Sequence, residues 1–238
     1  MTSAITSDTN AGAGLAPADV LERLLEQRYS CRGFLPTPVP RETIERILAL
    51  AQRTASWCNS QPWHLTITSG AATERFREAL LAHAQVNESA PDLPFPAEYR
   101  GVYLDRRREC GLQLYRAVGV ARGDREAGAR QGLENFRLFG APHAAIVTSD
   151  ARLGVYGAID CGAYVSNFML AARSLGVASI AQAALARHSG FVRERFGIGD
   201  DRIVVCGISF GFEDPAHPAN AFRTSRAPVA DAVTWQSD

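Results

Sequence analysis

Val155–Gly176 reads VYGAIDCGAYVSNFMLAARSLG, and this stretch decides the architecture. It has the length of a long helix, about 30 Å at 1.5 Å per residue. Only Asp160 and Arg173 carry charge, and the other positions are apolar or small on every side. Such a helix is expected to be buried all round rather than along one stripe. It would be either the central helix of a monomer's core or a helix at a subunit interface. Gly157 and Gly162 each weaken a helix by about 1 kcal/mol relative to Ala. That cost is tolerable where a second backbone or a flat ligand comes close. Gly176 supplies a left-handed stop after Leu175. Asp160, Ser166 and Asn167 interrupt the apolar run and argue against a membrane span.

The chain has 238 residues, enough for a sizeable core in one large domain or two small ones. It shows no internal repeat and no interdomain linker. Residues 1–16 are small, polar and glycine-containing, and are expected to be disordered; residues 17–238 are expected to form a single domain. The formal charge is zero, with no footprint for nucleic acid and no polybasic anchor. All 25 Lys-plus-Arg residues are arginine. Without lysine there is no P-loop lysine, no Schiff base and no Ser-x-x-Lys nucleophile. Arginine remains, and it grips phosphate in a planar fork. Cys31, Cys58, Cys110, Cys161 and Cys206 are widely spaced and odd in number, and no signal peptide precedes them. They read as reduced thiols of a cytoplasmic protein. The histidines are scattered, with no helix-spaced pair to hold a metal.

Outward from the central helix, Pro17 opens a helix to about Gln27 with Val20, Leu21, Leu24 and Leu25 as its apolar stripe. Arg28-Tyr29-Ser30-Cys31-Arg32 follows. In an extended segment Arg28, Ser30 and Arg32 share one side, which suits a phosphate dianion; a solvated basic turn explains the same residues equally well. Pro40 opens a second helix with Ile44, Ile47, Leu48 and Ala51 inward. Ser56-Trp57-Cys58-Asn59-Ser60-Gln61-Pro62-Trp63 is a polar loop before a strand at Leu65–Ile67. It is able to hydrogen-bond the edge of a planar heterocycle, or to be a turn with Trp63 as packing. Helices are expected over 71–84, 98–118, 124–138 and 185–196, and strands over 144–148, 177–184 and 202–211. The proline-rich tail suits a wrap over a neighbouring chain.

Gly207-Ile208-Ser209-Phe210-Gly211 matches the G-x-S-x-G elbow of hydrolases. The elbow needs a helix after the serine, and Phe212-Glu213-Asp214-Pro215 cannot start one there. A Cys58–His64 nucleophile pair lacks a third group to orient the histidine.

Taken together, these segments resemble the nitroreductase family of FMN-dependent oxidoreductases over nearly the whole chain from Leu15. The marks are Arg28-x-Ser30-x-Arg32, the Asn59-x-Gln61-Pro62-Trp63 loop, the long helix closing on Leu175-Gly176-Val177 with its small-residue turn, and Arg226 in Thr224-Ser225-Arg226-Ala227-Pro228. The prolines near Pro94 and Pro96, the Arg106–Arg108 run and the FRLFGAP segment resemble its nitrobenzoate-reductase-like branch.

The resemblance implies an α+β fold, a three-layer α/β/α sandwich with a mixed, mainly antiparallel sheet, in an intertwined homodimer with FMN in interfacial pockets. It implies that Arg28, Tyr29, Ser30, Arg32 and Arg226 hold the FMN phosphate and ribityl chain, and that Ser56, Trp57, Cys58 and Asn59 line the isoalloxazine. The turn Ala181-Gln182-Ala183 would present a backbone N–H to flavin N5. Some members carry lysine two residues before the last arginine where this chain has Thr224, so Arg226 would hold that side more alone. Trp57, Phe95, Tyr99, Tyr103 and Arg107 are expected around the substrate, with an arginine of the 106–108 run facing a carboxylate. No side chain is expected to act as an obligatory acid or base, because FMN carries the redox chemistry between NADH or NADPH and a nitroaromatic acceptor. Reductive dehalogenation, enone reduction and non-catalytic flavin binding are the alternatives on the same fold, and no dinucleotide fingerprint chooses between NADH and NADPH.

Overall fold

The computed structural model describes residues 15–237, so the expected disorder of the N-terminus falls almost wholly outside the described residues. Helices α1 (Pro17–Gln27) and α2 (Arg41–Ala51) precede strand β1 (His64–Ser69). Helices α3 (Ala71–Val86), α4 (Gly101–Ala117) and α5 (Arg125–Leu133) lead to β2 (His143–Asp150). The long helix α6 (Gly154–Ser174), β3 (Ala178–Gln182), α7 (Ser189–Phe196) and β4 (Arg202–Gly211) complete the core. The strands pair antiparallel in the order β1-β2-β4-β3. Among the described residues, parallel pairing is confined to one isolated bridge, between Ser30 and Ser179.

Three layers follow from the pleat of β2, whose successive side chains serve opposite faces. Ala145 and Val147 pack with α2 and α6, while Ala144 and Ile146 pack with α3 and α7. A bulge opposite Val147–Thr148 leaves Val205 unpaired. Beyond it Val204 joins the α3/α7 layer, whereas Ile208 and Phe210 join the α2/α6 layer. Trp63 stacks on Tyr164 at 4.9 Å, and its indole N–H donates to Gln52 Oε1 at 3.0 Å.

Helix α6 is not buried all round. Cys161, Tyr164, Val165, Phe168 and Ala172 face the sheet, but Val155, Tyr156 and Ile159 are 70%, 57% and 58% exposed. Gly157 earns its place: a Cβ there would lie 2.7 Å from Ser149 Oγ and 2.8 Å from Leu153 Cβ. Gly162 faces open space. The stop is as expected. Gly176 sits at φ +74°, the Val177 N–H donates to Ala172 O and the Gly176 N–H to Arg173 O, which together form a Schellman closure.

Other expectations are corrected. The stripe of α1 contributes no buried residue, and Leu21 and Leu25 stay half exposed. The helix expected from residue 98 starts at Gly101, which lies at positive φ. The helix expected to 138 ends at Leu133, because the Gln182 amide takes the Asn135 carbonyl and Leu138 and Phe139 adopt positive φ to enter the core. The helix expected over 185–196 is split. Ala183–His188 is a tight 3₁₀ segment, and α7 begins at the buried Ser189, whose hydroxyl donates to Ala186 O. As the sequence reading expects, Ser209 is no elbow: it is buried within β4 and donates to Gln182 Oε1. Its flanking glycines are packing positions. A Cβ on Gly207 would meet Leu185 Cδ1 at 2.2 Å, and one on Gly211 would meet Pro142 Cδ at 2.6 Å.

Two stability predictions follow from this core. Gly211→Ala pushes against a proline ring that cannot swing aside, so urea denaturation is expected to show a loss of about 1–3 kcal/mol. His143 is buried with Nε2 accepting the Val39 N–H at 2.9 Å and Nδ1 facing Ser69 Oγ, so the fold requires it neutral. Burial lowers its pKa below the ordinary 6.5. The unfolded chain therefore binds a proton that the fold refuses, and this contribution to stability is complete above pH about 6.5 and is lost as pH falls through that value. Burial, then His83 and Arg187, lower His188 in the same sense. Thermal melts should show Tm falling below that pH, with a shallower slope in His143→Gln.

Candidate functional site

Helix α1 ends without a glycine, and at Arg28 the chain simply becomes extended. It then runs beside the outer edge of β3. Ser30 bridges Ser179, and the Cys31 N–H donates to Ser179 O at 3.2 Å. Cys31 is fully buried against the third core cluster, with Phe34, Phe139 and Ile180. With Cys31 turned in, Arg28, Ser30 and Arg32 turn out together, as the alternation predicts. They line a cavity of about 480 Å³ with Tyr29, Arg223, Thr224 and Arg226.

The far wall of this cavity is the C-terminal segment, tied down by Asn220. Its Oδ1 accepts the Arg32 N–H at 2.8 Å, and its Nδ2 donates to Gly33 O at 2.8 Å and Asp214 O at 2.9 Å. Asn220 and Arg223 both escaped sequence reading, since an isolated Asn or Arg in a proline-rich tail carries no periodicity. Arg223 lines the same cavity as Arg226. Its guanidinium lies 3.5 Å from the centroid of the Tyr29 ring. The Tyr29 hydroxyl donates to Glu213 Oε2 at 2.8 Å; burial first, then this bond, pushes its pKa up. Arg226 donates to Thr224 Oγ1 at 2.9 Å.

Electrostatically the cavity is dominated by its arginines. Burial, then the neighbouring Arg226, lowers the pKa of Arg28, and burial lowers that of Arg32. Among the described residues no carboxylate pairs with Arg28, Arg32 or Arg226, although Glu26 reaches the rim. Desolvated, unpaired guanidinium groups are costly, and a phosphate dianion is the ligand that relieves them. Burial pushes the thiols of Cys31, Cys161 and Cys206 up to about 11, 11 and 12, so all three are neutral thiols rather than nucleophiles.

Strand β3 is the sheet edge. Backbone groups two residues apart on a strand point the same way. Since Ser179 O faces outward to Cys31, the N–H and C=O of Ala181 also face outward, onto the open edge. Ala181 and Ala183 are exposed, but the side chain of Gln182 is not available to a ligand: it is buried between Asn135 and Ser209.

The Ser56–Asn59 loop lies elsewhere. The Trp57 N–H donates to Asp160 Oδ2 at 3.1 Å, and its ring meets Tyr156 edge-on at 4.3 Å. Cys58, Asn59 and Gln61 all adopt positive φ, held by the Gln61 N–H donating to Ser56 Oγ at 2.9 Å. Arg28 and Tyr29, by contrast, share a small cleft with Met169 and Arg173. Asp160 and Met169–Arg173 are about 9–13 residues apart on α6, or on the order of 15–20 Å. Within one chain the two groups of expected flavin ligands therefore stand at opposite ends of a helix. The expected substrate residues also separate. Phe95, Tyr99 and Arg107 line one cavity; Tyr103 is outside it and two-thirds exposed, and Trp57 belongs to the other end of α6.

Comparison with known proteins fits this geometry. The model of the nitroreductase family matches residues 25–212. Nitroreductase NfnB of Mycolicibacterium smegmatis is 36% identical over 220 residues, covering 92% of this chain and 93% of that protein. A 4-nitrobenzoate reductase of Nocardioides is 32% identical over 231 residues, 94% of each. The crystal structure of FMN-dependent NfnB from Mycobacterium smegmatis in complex with NADPH superposes with TM-score 0.88 at 34% identity, over 92% of this chain and 99% of that one. With the family model matched over residues 25–212 and relatives of 36% and 32% identity along nearly the whole chain, the chain belongs to the nitroreductase family.

Proposed function

We propose that this chain is an FMN-dependent oxidoreductase that uses NAD(P)H to reduce nitroaromatic acceptors, nitrobenzoate-like ones included, as a cytoplasmic homodimer with one FMN-binding domain over residues 17–238. The observation that carries the reading is the cavity whose guanidinium groups have no paired carboxylate among the described residues, set where Ser30 bridges Ser179, two residues along β3 from the outward-facing N–H of Ala181. Arg28, Arg32, Arg223 and Arg226 bind the phosphate there, with Ser30 as a neutral hydrogen-bonding partner. The Ala181 N–H, on a rigid strand edge, offers a fixed donor to the ring system and needs no reorganisation to do so. FMN, when bound, supplies the hydride-accepting and hydride-donating centre, so cosubstrate and acceptor use the site in turn. The residues of this chain bind, orient and exclude water.

The homodimer rests on two observations. The bare apolar face of α6, with Val155, Tyr156 and Ile159, is of the kind that a second copy covers. The distance between the Trp57 loop and the arginine cavity is met if the loop of one chain completes the cavity of the other, which a two-fold axis repeats for the second site. Similarity to NfnB favours NADPH as the cosubstrate, since the matching NfnB structure is a complex with NADPH. Five free thiols suit a reducing compartment.

The test is visible absorption of the dialysed protein. A flavin band that bleaches with NADPH and returns with 4-nitrobenzoate is the expected result; a colourless protein that takes up no added FMN refutes the proposal. Arg28→Ala and Arg32→Ala should each weaken FMN binding about 10–100-fold by fluorescence titration, the scale of one charged hydrogen bond. Ile159→Asp buries a charge in the α6 face if a second copy covers it. Sedimentation should then show monomer, with FMN lost in the same preparation; an Ile159→Asp dimer with full FMN content would exclude this face from the interface.

A further inference from the structure

Phe95, Tyr99 and Arg107 share their cavity of about 480 Å³ with Arg187, a residue that sequence reading passed over. The Arg107 guanidinium lies over the Tyr99 ring at 5.2 Å from its centroid, and that of Arg187 lies over the Phe95 ring at 5.2 Å. Both are within the reach of a cation–π attraction. Among the described residues neither arginine is paired with a carboxylate, and Glu98, which also reaches the cavity, is paired with Arg100. The backbone of Arg187 is fixed, since its carbonyl accepts the Ala90 N–H at 2.7 Å. Arg187 lies on the 3₁₀ segment that leaves β3 directly after the Ala181 edge. At 2.0 Å per residue it stands about 8 Å along that segment from Ala183.

A ring across one face of a guanidinium fixes its plane and leaves its N–H edge free. That edge matches a carboxylate bidentately, which an ammonium cannot do. Two such forks on one cavity, walled by aromatic rings and by Leu104 and Pro96, suit a flat ring bearing an acid group. We infer that Arg107 and Arg187 form an anion subsite that selects aromatic carboxylates over neutral analogues as acceptors. The inference rests on the nitroaromatic-reductase reading for what the cavity receives. A phosphate of the cosubstrate offers similar chemistry to the forks, so the test has an arm for each source.

The experiment uses the FMN-loaded protein and its Arg107→Gln and Arg187→Gln variants. Benzoate and benzamide are titrated by calorimetry, and kcat/KM is measured for 4-nitrobenzoate, for its neutral methyl ester and for NADPH. Benzoate is expected to bind and benzamide not, and each variant should lower both the benzoate affinity and the acid-to-ester ratio of kcat/KM about tenfold. A ratio unchanged in both variants overturns the subsite. So does a loss confined to kcat/KM for NADPH, which assigns the forks to a cosubstrate phosphate. If the wild type reduces neither acid nor ester, the functional reading fails and the calorimetry decides alone. Arginine-dependent benzoate binding then keeps the anion subsite, and its absence removes it.

Discussion

The site depends on a single edge contact, the Cys31 N–H donated to Ser179 O beside the Ser30–Ser179 bridge. It lays the segment after α1 along β3, and every orientation nearby follows from the pleat. Cys31 enters a core cluster with Ile180 and Ala178, so its neighbours Ser30 and Arg32, and Arg28 two further back, face the cavity. The same contact fixes which backbone groups of β3 face outward, and so leaves the Ala181 N–H free. Asn220 then locks the opposite wall to Arg32 and Gly33. Cationic wall and ring-edge donor are thus set by one register, and a one-residue slip would reverse both.

Helix α6 is the second constraint, and its two charges explain its length. Asp160 anchors the Trp57 loop at one end, and Arg173 pairs with Glu213 at 3.8 Å at the other, where Glu213 also holds Tyr29. The helix separates the Trp57 loop from the arginine cavity within one chain. One side of it packs on β2 so closely that Gly157 has no room for a Cβ, while on the other side Ile159 is more than half exposed and a Cβ at Gly162 would meet nothing within 4 Å among the described residues.

What was legible in the sequence divides along physical lines. Local alternation exposed Arg28, Ser30 and Arg32, because strand geometry acts over two residues. Helix α1 and the Gly176 stop were legible for the same reason, since proline and glycine act where they stand. Burial was not. Composition made α6 appear enclosed on all sides and α1 amphipathic toward its own core, yet apolar residues cover whatever surface comes to them, including one from a second chain. Asn220, Arg223 and Arg187 left no trace, because their roles come from contacts across more than ninety residues of chain or from stacking on a distant ring. Gly207 and Gly211 mimic a nucleophile elbow that the residues after them already argue against, but the reason they are glycine, the close approach of Leu185 and Pro142, leaves no mark in the sequence.

The absence of lysine gives the cavity a property that composition alone would not reveal. A buried ammonium can shed its proton and become neutral, whereas a guanidinium stays charged throughout the working pH range. Burial and mutual repulsion therefore cannot be relieved by deprotonation at Arg28 or Arg32; they are carried as a standing cost of the folded state. A dianion that enters removes that cost as well as adding its own contacts, and whatever binds only the folded chain stabilises it by mass action. Cofactor retention and fold stability are then one quantity read in two ways, and the arginine cavity is where they meet.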